Sequence, residues 1–308
     1  MASGSALSIV IYGKRGMLAT DLGAAISAQG GRSVMTEDRR YRDLPDFDAT
    51  HDETVAKDFE KTRPNIVFNC VAYTNVDGCE DNQKAANDLN AGVPGRLARN
   101  AKQYGSLLVH VSTDFIFDGD TDRPYTEDDP ANPLSVYGKS KLAGERAVIE
   151  SGCDYLICRT AWLYGAHGKN FVTTILRLAA EKDVLRVVAD QTGSPTWTAD
   201  LAEMILALVD AGARGVFHTV NSGSASWFDL ASEAVRLKDL PARIEPIPAS
   251  EFPRKAKPPL RSSVLSVEKY TRAVGRPPRP WQAALADFLS TLPQKPPRRA
   301  LDAGDSSR

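Results

Sequence analysis

The chain has 308 residues, of which 42% are hydrophobic and 25% charged, with a formal net charge of -1. These are ordinary globular values, which argue against wholesale disorder and against a global electrostatic pull toward nucleic acid or a membrane surface. The length suits one large α/β domain or two domains sharing a boundary, and a small anionic substrate would need a local basic patch.

The first half alternates short apolar runs with helical patterns. Ser8 to Tyr12 reads as a strand ending at Gly13; the apolar run Leu7 to Tyr12 is too short for a signal peptide, and no basic region precedes it. A helix follows over Met17 to Ala28, then a second strand over Arg32 to Thr36. Val55 to Lys61 is helical and Asn65 to Asn69 is a strand. Residues 84–103 form a long helical pattern, and Ser106 to Val111 is a strand running into Ser112-Thr113-Asp114. Ser140 to Ser151 is helical and Tyr155 to Arg159 is a strand. Strands alternating with helices predict crossover units, and nearly continuous apolar strands predict a parallel sheet covered on both faces.

The second half is less regular. Phe171 to Glu181 and Ala199 to Ala211 have helical periodicity, and Gly215 to Val220 reads as a strand. Trp227 to Lys238 is a helix capped by Ser226, and Pro246 to Arg261 is a proline-rich basic loop. Pro280 to Leu292 is a last helix with proline at its start. The polar stretch from about residue 294 reads as a disordered tail. No run approaches the ~20 apolar residues that span a bilayer. Cys70 and Cys158 sit in apolar runs, and together with Cys79 and Cys153 they have no zinc-like spacing. Reduced thiols in a cytoplasmic protein are the expectation.

Two patterns carry chemistry. Gly13-Lys14-Arg15-Gly16-Met17-Leu18-Ala19 joins the first strand to the first helix. Glycine permits the tight turn and a close backbone approach to a pyrophosphate, which the helix N-terminus attracts. The second strand runs into Glu37-Asp38-Arg39-Arg40. An acid there suits the ribose of NAD and an arginine the extra phosphate of NADP, so the choice stays open. The second pattern is Tyr137-Gly138-Lys139-Ser140-Lys141, which opens a helix and puts Tyr137 and Lys141 on one face. An ammonium near a phenol lowers its pKa from about 10, which prepares Tyr137 for proton exchange. Thr113, just past an apolar strand, is placed to bond the same substrate oxygen, although a simple cap residue reads the same way.

The order and spacing of further motifs resemble one family. They are Ala72-Tyr73-Thr74-Asn75-Val76-Asp77, Val111 to Gly119, Asn132 to Glu145, Arg159 to Tyr164, Asn170-Phe171 and Asp190 to Thr196. Over residues 9–292 the chain resembles the dTDP-4-dehydrorhamnose reductase family of the extended short-chain dehydrogenase/reductases. The resemblance implies a Rossmann-type doubly wound parallel sheet with a smaller, discontinuous C-terminal substrate domain. The expected division is residues 1–160 plus about 196–222 for the dinucleotide, about 161–195 plus 223–293 for the substrate, and 294–308 as tail.

The implied activity is NADPH- or NADH-dependent reduction of a 4-keto sugar on a nucleoside diphosphate. By resemblance, Gly13, Gly16, Met17 and Leu18 line the cofactor phosphates, Glu37 meets the adenosine ribose, and Asp48 and Ala49 flank the adenine. Ala72, Tyr73 and Thr74 follow the cofactor toward the nicotinamide. Tyr137 protonates the C4 oxygen, Lys141 holds the nicotinamide ribose and tunes Tyr137, and Thr113 orients the carbonyl. Asp114 and Trp162 contact the sugar. An indole offers a deoxysugar a flat apolar face and one N–H, although a core tryptophan is the plain alternative. Arg254, Lys255, Lys257 and Arg261 are candidates for the diphosphate, with Arg261 favoured. Met17-Leu18-Ala19, Phe115 and Lys257 depart from the family's usual residues. No metal-ligand cluster supports the Mg2+ used in assembly by some relatives. A homodimer is the expected assembly. An epimerase and a non-catalytic subunit like the methionine adenosyltransferase β subunit are the competing readings.

Overall fold

The computed structural model describes residues 7–13, 16–28, 38–42 and 48–292, with 38–42 described by backbone alone. The central strands are β1 (Ser8–Tyr12), β2 (Asp38–Arg42), β3 (Ile66–Asn69), β4 (Leu107–Thr113) and β5 (Tyr155–Thr160). With the strand Gly215–His218 they form one sheet in the order Gly215–His218, β5, β4, β3, β1, β2. Every neighbouring pair is parallel. The order reverses beside β1, which puts a crevice at the carboxyl ends of β1, β3 and β4.

The apolar runs explain the layering. Successive strand residues point to opposite faces. Ile9 and Ile11 face a core built with Leu18, Leu22 and Ile26 of α1 (Met17–Ala28) and Leu201 and Ile205 of the helix Thr198–Asp210. Val10 and Tyr12 face the other core, with Val55 and Phe59 of α2 (Asp52–Thr62) and Leu97 and Ala101 of the helix Val93–Tyr104. Burying each large apolar side chain contributes about 1.5–3 kcal/mol.

The rest of the chain forms smaller clusters. One packs Tyr164, Val172, Leu230, Trp281, Leu285 and Phe288, and another Ile175, Leu185, Val187 and Val235. Several features differ from the sequence expectation or fall outside it. The stretch read as a second strand, Arg32 to Thr36, lies outside the described residues, as do Glu37 and the tail. The strand that pairs with β1 is Asp38–Arg42, whose charged sequence is tolerated at the sheet edge. Val184–Val188 pairs with Arg243–Ile247, so the late loop starts after Ile247 rather than at Pro246, and proline is admissible in such an edge strand. A short helix, Glu268–Val274, was not expected. The four cysteines are free thiols, with Cys158 in β5 and Cys70 just past β3.

Candidate active site

The site is assembled from loops at the carboxyl ends of the sheet. After β1, Gly13 has φ 98°, and a Cβ there would stand 3.0 Å from the carbonyl carbon and oxygen of Cys70. Both the left-handed backbone and the crowding exclude a side chain. The Gly16 N–H donates to the Gly13 carbonyl at 3.0 Å, and α1 begins at Met17. Leu18 and Ala19 are buried in the core, so it is their backbone N–H groups that suit a phosphate. The Met17 side chain turns toward Asn170, whose Nδ2 lies 3.9 Å from its sulfur. We expect Gly13→Ala to lower stability by about 1–2 kcal/mol, which thermal unfolding checks.

On the β2 side, Asp48 accepts from the Thr50 hydroxyl at 2.6 Å and the Thr50 N–H at 2.8 Å. These bonds, hydroxyl first, hold its carboxyl below the usual range. Ala49 is buried in the core.

After β3, the segment Ala72-Tyr73-Thr74 is fixed by a residue the sequence reading missed. Asn90 is fully buried and lies in a π-helical turn, Asp88–Gly92, inside the long helical stretch. Its Oδ1 accepts the Tyr73 N–H at 2.8 Å, and its Nδ2 donates to the Tyr73 carbonyl at 3.3 Å and to Ser140 Oγ at 2.9 Å. Ser140 in turn donates to the Tyr137 carbonyl at 2.8 Å. One side chain thus ties the β3 loop to the helix bearing Tyr137. The available signal was a polar residue inside a helical pattern; π-turns often mark functional sites. Asn90→Ala is expected to cost about 2–4 kcal/mol of stability, because it orphans several buried polar groups. Denaturant unfolding measures this, and a change within 0.5 kcal/mol, roughly that of an ordinary surface substitution, would refute the clamp.

At the end of β4, Thr113 caps a short turn, accepting the Phe115 N–H at 3.2 Å and donating to Asp114 Oδ1 at 3.0 Å. Ser263 donates to Asp114 Oδ2 at 2.6 Å. Burial raises the Asp114 carboxyl to about 6, against the pull of these two hydroxyls. The helix Val136–Ser151 is capped by Ser135, whose Oγ accepts the Gly138 N–H at 3.1 Å. Gly138 lets the helix pack onto the Phe115 carbonyl, 2.2 Å from where a Cβ would stand. Tyr137 is thereby set beside Phe115, with ring centroids 5.5 Å apart.

The Tyr137 phenol is raised, first by burial, with the Thr113 hydroxyl opposing. This corrects the expectation that Lys141 lowers it. The Lys141 ammonium is buried and donates to the Val111 carbonyl at 2.6 Å. Burial pulls it down to about 8, against Glu145. Glu145 itself pairs with Arg159 of β5 at 2.8 Å, both side chains buried.

Trp162 follows β5 with φ 48°, and its ring lies parallel to Trp227 at 3.5 Å. Trp227, like Asn90 and Ser263, went unread as a site residue. Arg254, Lys255 and Arg261 of the late loop are taken up by carboxylates. Arg261 bonds Asp120 at 2.8 Å and Asp122 at 3.1 Å, Arg254 meets Asp77 at 3.4 Å, and Lys255 pairs with Asp81. Lys257 is exposed. The structure therefore brings together Gly13, Ala72 to Thr74, Thr113, Asp114, Tyr137 and Lys141, while Arg261 points its charge into a surface pair. Among the described residues no group of three or more His, Cys, Asp or Glu is placed to hold a metal, and no helix is long and apolar enough to cross a membrane.

The family model for the RmlD substrate binding domain matches residues 7–293. A dTDP-4-dehydrorhamnose reductase of Mycobacterium tuberculosis is 41% identical over 295 residues, covering 94% of each chain. The chain belongs to the dTDP-4-dehydrorhamnose reductase family. Within and around this reductase family, a probable dTDP-4,6-dihydroxy-2-methyloxan-3-one 4-ketoreductase of Streptomyces antibioticus is 42% identical over 260 residues, 82% of this chain and 87% of that one. The crystal structure of the Bacillus anthracis dTDP-4-dehydrorhamnose reductase in complex with NADP superposes with a TM-score of 0.85 at 34% identity, covering 92% of this chain and 99% of the other. The doubly wound parallel sheet is the architecture expected of this reductase family.

Proposed function

We propose that this protein uses NADPH or NADH to reduce the 4-keto group of a dTDP-linked 6-deoxysugar, converting dTDP-4-dehydro-L-rhamnose to dTDP-L-rhamnose. The observation that carries the reading is the placing of Tyr137 beside Thr113 at the carboxyl edge of the sheet, in a chain whose relatives are named for this reaction. The proposal includes the division into residues 1–160 plus about 196–222 for the dinucleotide and about 161–195 plus 223–293 for the sugar. It also includes a cytoplasmic location and a homodimer. Family resemblance supports these points.

The residues at the glycine turn fit a dinucleotide: Gly13 has no room for a Cβ, and the twelve-residue α1 opens beside it. Gly13, Gly16 and the N–H groups of Met17 and Leu18 would hold the diphosphate, with Asp48 and Ala49 near the adenine and Glu37 toward the ribose. Ala72, Tyr73 and Thr74 would line the path to the nicotinamide ring. The chemistry such a cofactor supplies is hydride donation to C4.

The chain's own residues handle the proton. A phenol raised by burial stays protonated at neutral pH, so Tyr137 enters as a general acid and gives its proton to the C4 oxygen. Thr113 steadies the same oxygen, and Lys141 supplies a positive charge that favours the tyrosinate formed. Asp114, fixed by Ser263, and Trp162 face the sugar. Arg261 is proposed for the diphosphate, which requires it to leave Asp120 and Asp122.

The test supplies purified protein with NADPH and dTDP-4-dehydro-L-rhamnose and follows cofactor oxidation and dTDP-L-rhamnose formation. An enzyme inert with this and every other nucleotide ketosugar would sink the catalytic reading. Turnover without added reductant, on retained NAD, would instead mark an epimerase.

A further inference from the structure

Trp162 is the residue proposed against the sugar, yet distant parts of the chain determine where its ring lies. It stands two positions past Thr160, which pairs with Thr113 across β4 and β5. Its left-handed backbone, φ 48°, costs an ordinary residue on the order of 1–3 kcal/mol and persists only where the surroundings over-determine it. Those surroundings are two walls. Trp227 lies parallel to the indole, with centroids 3.5 Å apart and planes 4° apart. Gly193 is the second wall: a Cβ there would stand 2.3 Å from Cε2, 2.5 Å from Nε1 and 2.6 Å from Cζ2 of Trp162. The two walls lie on opposite faces: with the rings 3.5 Å apart, a Cβ on the Trp227 side would meet Trp227 first, whereas its three nearest atoms all belong to Trp162. The indole is enclosed on both faces and presents an edge, which revises the expectation of a free stacking face.

Each wall has its own support. Trp227 opens a helix, Trp227–Leu237, whose capping box joins Ser226 and Asp229, and Phe171 packs on it at 4.7 Å. Gly193 pairs with Ala225 in a short antiparallel ladder. Its neighbour Thr192 accepts the N–H of Ser263 at 2.9 Å, and Ser263 is the residue that holds Asp114. The clamp on Trp162 and the support of Asp114 therefore belong to one frame.

The geometry points to Trp227 and Gly193 as positioning residues that set sugar recognition by holding Trp162 edge-on, an inference that rests on the proposed reading of Trp162 as a sugar contact. A ring fixed before binding loses little freedom when the sugar arrives. An edge also recognises differently from a face. The Nε1–H is a directional donor that asks for an acceptor in one place, whereas a face accepts many apolar surfaces. Only glycine at position 193 leaves room for that ring position.

Four full-length variants test the idea: Trp162→Phe, Trp227→Phe, their double variant, and Gly193→Ala. The substrates are NADPH and dTDP-4-dehydro-L-rhamnose. We expect Trp227→Phe and Gly193→Ala each to raise the sugar KM about tenfold, with kcat within about threefold and the NADPH KM unchanged. The double variant should be no worse than Trp162→Phe alone, since Trp227 acts through that indole. Strictly additive effects, or a rise in both KM values together, would mean general loosening and overturn the inference. So would an unchanged sugar KM in Trp227→Phe and Gly193→Ala when Trp162→Phe raises it. An unchanged sugar KM in Trp162→Phe itself would overturn the underlying reading of Trp162 as a sugar contact, and the clamp's role with it.

Discussion

Tyr137→Phe is expected to lower kcat for ketosugar reduction by about 10²–10⁴-fold while NADPH binds almost as before, a range typical of losing a positioned general acid. The phenyl ring keeps the packing against Phe115, at 5.5 Å between centroids, so the helix has no reason to move. What disappears is a hydroxyl that burial keeps protonated. The C4 oxygen would then have to draw its proton from solvent as hydride arrives. Steady-state kinetics with NADPH, alongside a fluorescence titration of NADPH binding, separates the two effects. A variant retaining a tenth or more of wild-type kcat would exclude Tyr137 as the donor, since that loss falls below the general-acid range. Equal losses of turnover and cofactor affinity would instead assign the hydroxyl to cofactor binding.

The parts of this protein that could be read from its sequence are those whose signal is local. β1 from Ile9 to Tyr12 and β4 from Leu107 to Val109 are apolar because both sheet faces are covered, and Ser226 announces its helix through a capping box. β2 carries mostly charged residues, so it offers no apolar signal, and the sequence reading placed a strand over the preceding Arg32 to Thr36. The spacing of Tyr137 and Lys141 was visible, but the acceptor that holds the ammonium is a backbone carbonyl of Val111, which has no residue-type signature. Burial likewise reversed the expected shift of Tyr137, and burial is a property of the fold. Asn90 looked like one more polar residue on a helix until the π-turn aimed it at Tyr73. Trp162 was legible as a residue type, while its enclosure depends on Gly193 and Trp227, which only the fold brings together.

Lys141 gives the second large expected effect and a pH signature. Its ammonium is pulled to about 8 by burial, with Glu145 opposing. A lysine with a lowered pKa is charged below that value and neutral above it. If the positive charge supports the tyrosinate left on Tyr137, kcat/KM for reduction should be level below about pH 8 and fall above it. The raised Tyr137 phenol keeps its proton through that range, so it does not produce the limb. Lys141→Met preserves length and apolar bulk but removes the charge. The fold should survive, because Glu145 retains Arg159 at 2.8 Å and the main loss is one bond to the Val111 carbonyl, about 1–3 kcal/mol. Activity should drop about 10²-fold or more at neutral pH. The remaining activity should also lose its fall near pH 8, since the group that titrates there is gone. A persistent limb at the same pH in Lys141→Met would assign it to another group and leave Lys141 with a structural part only.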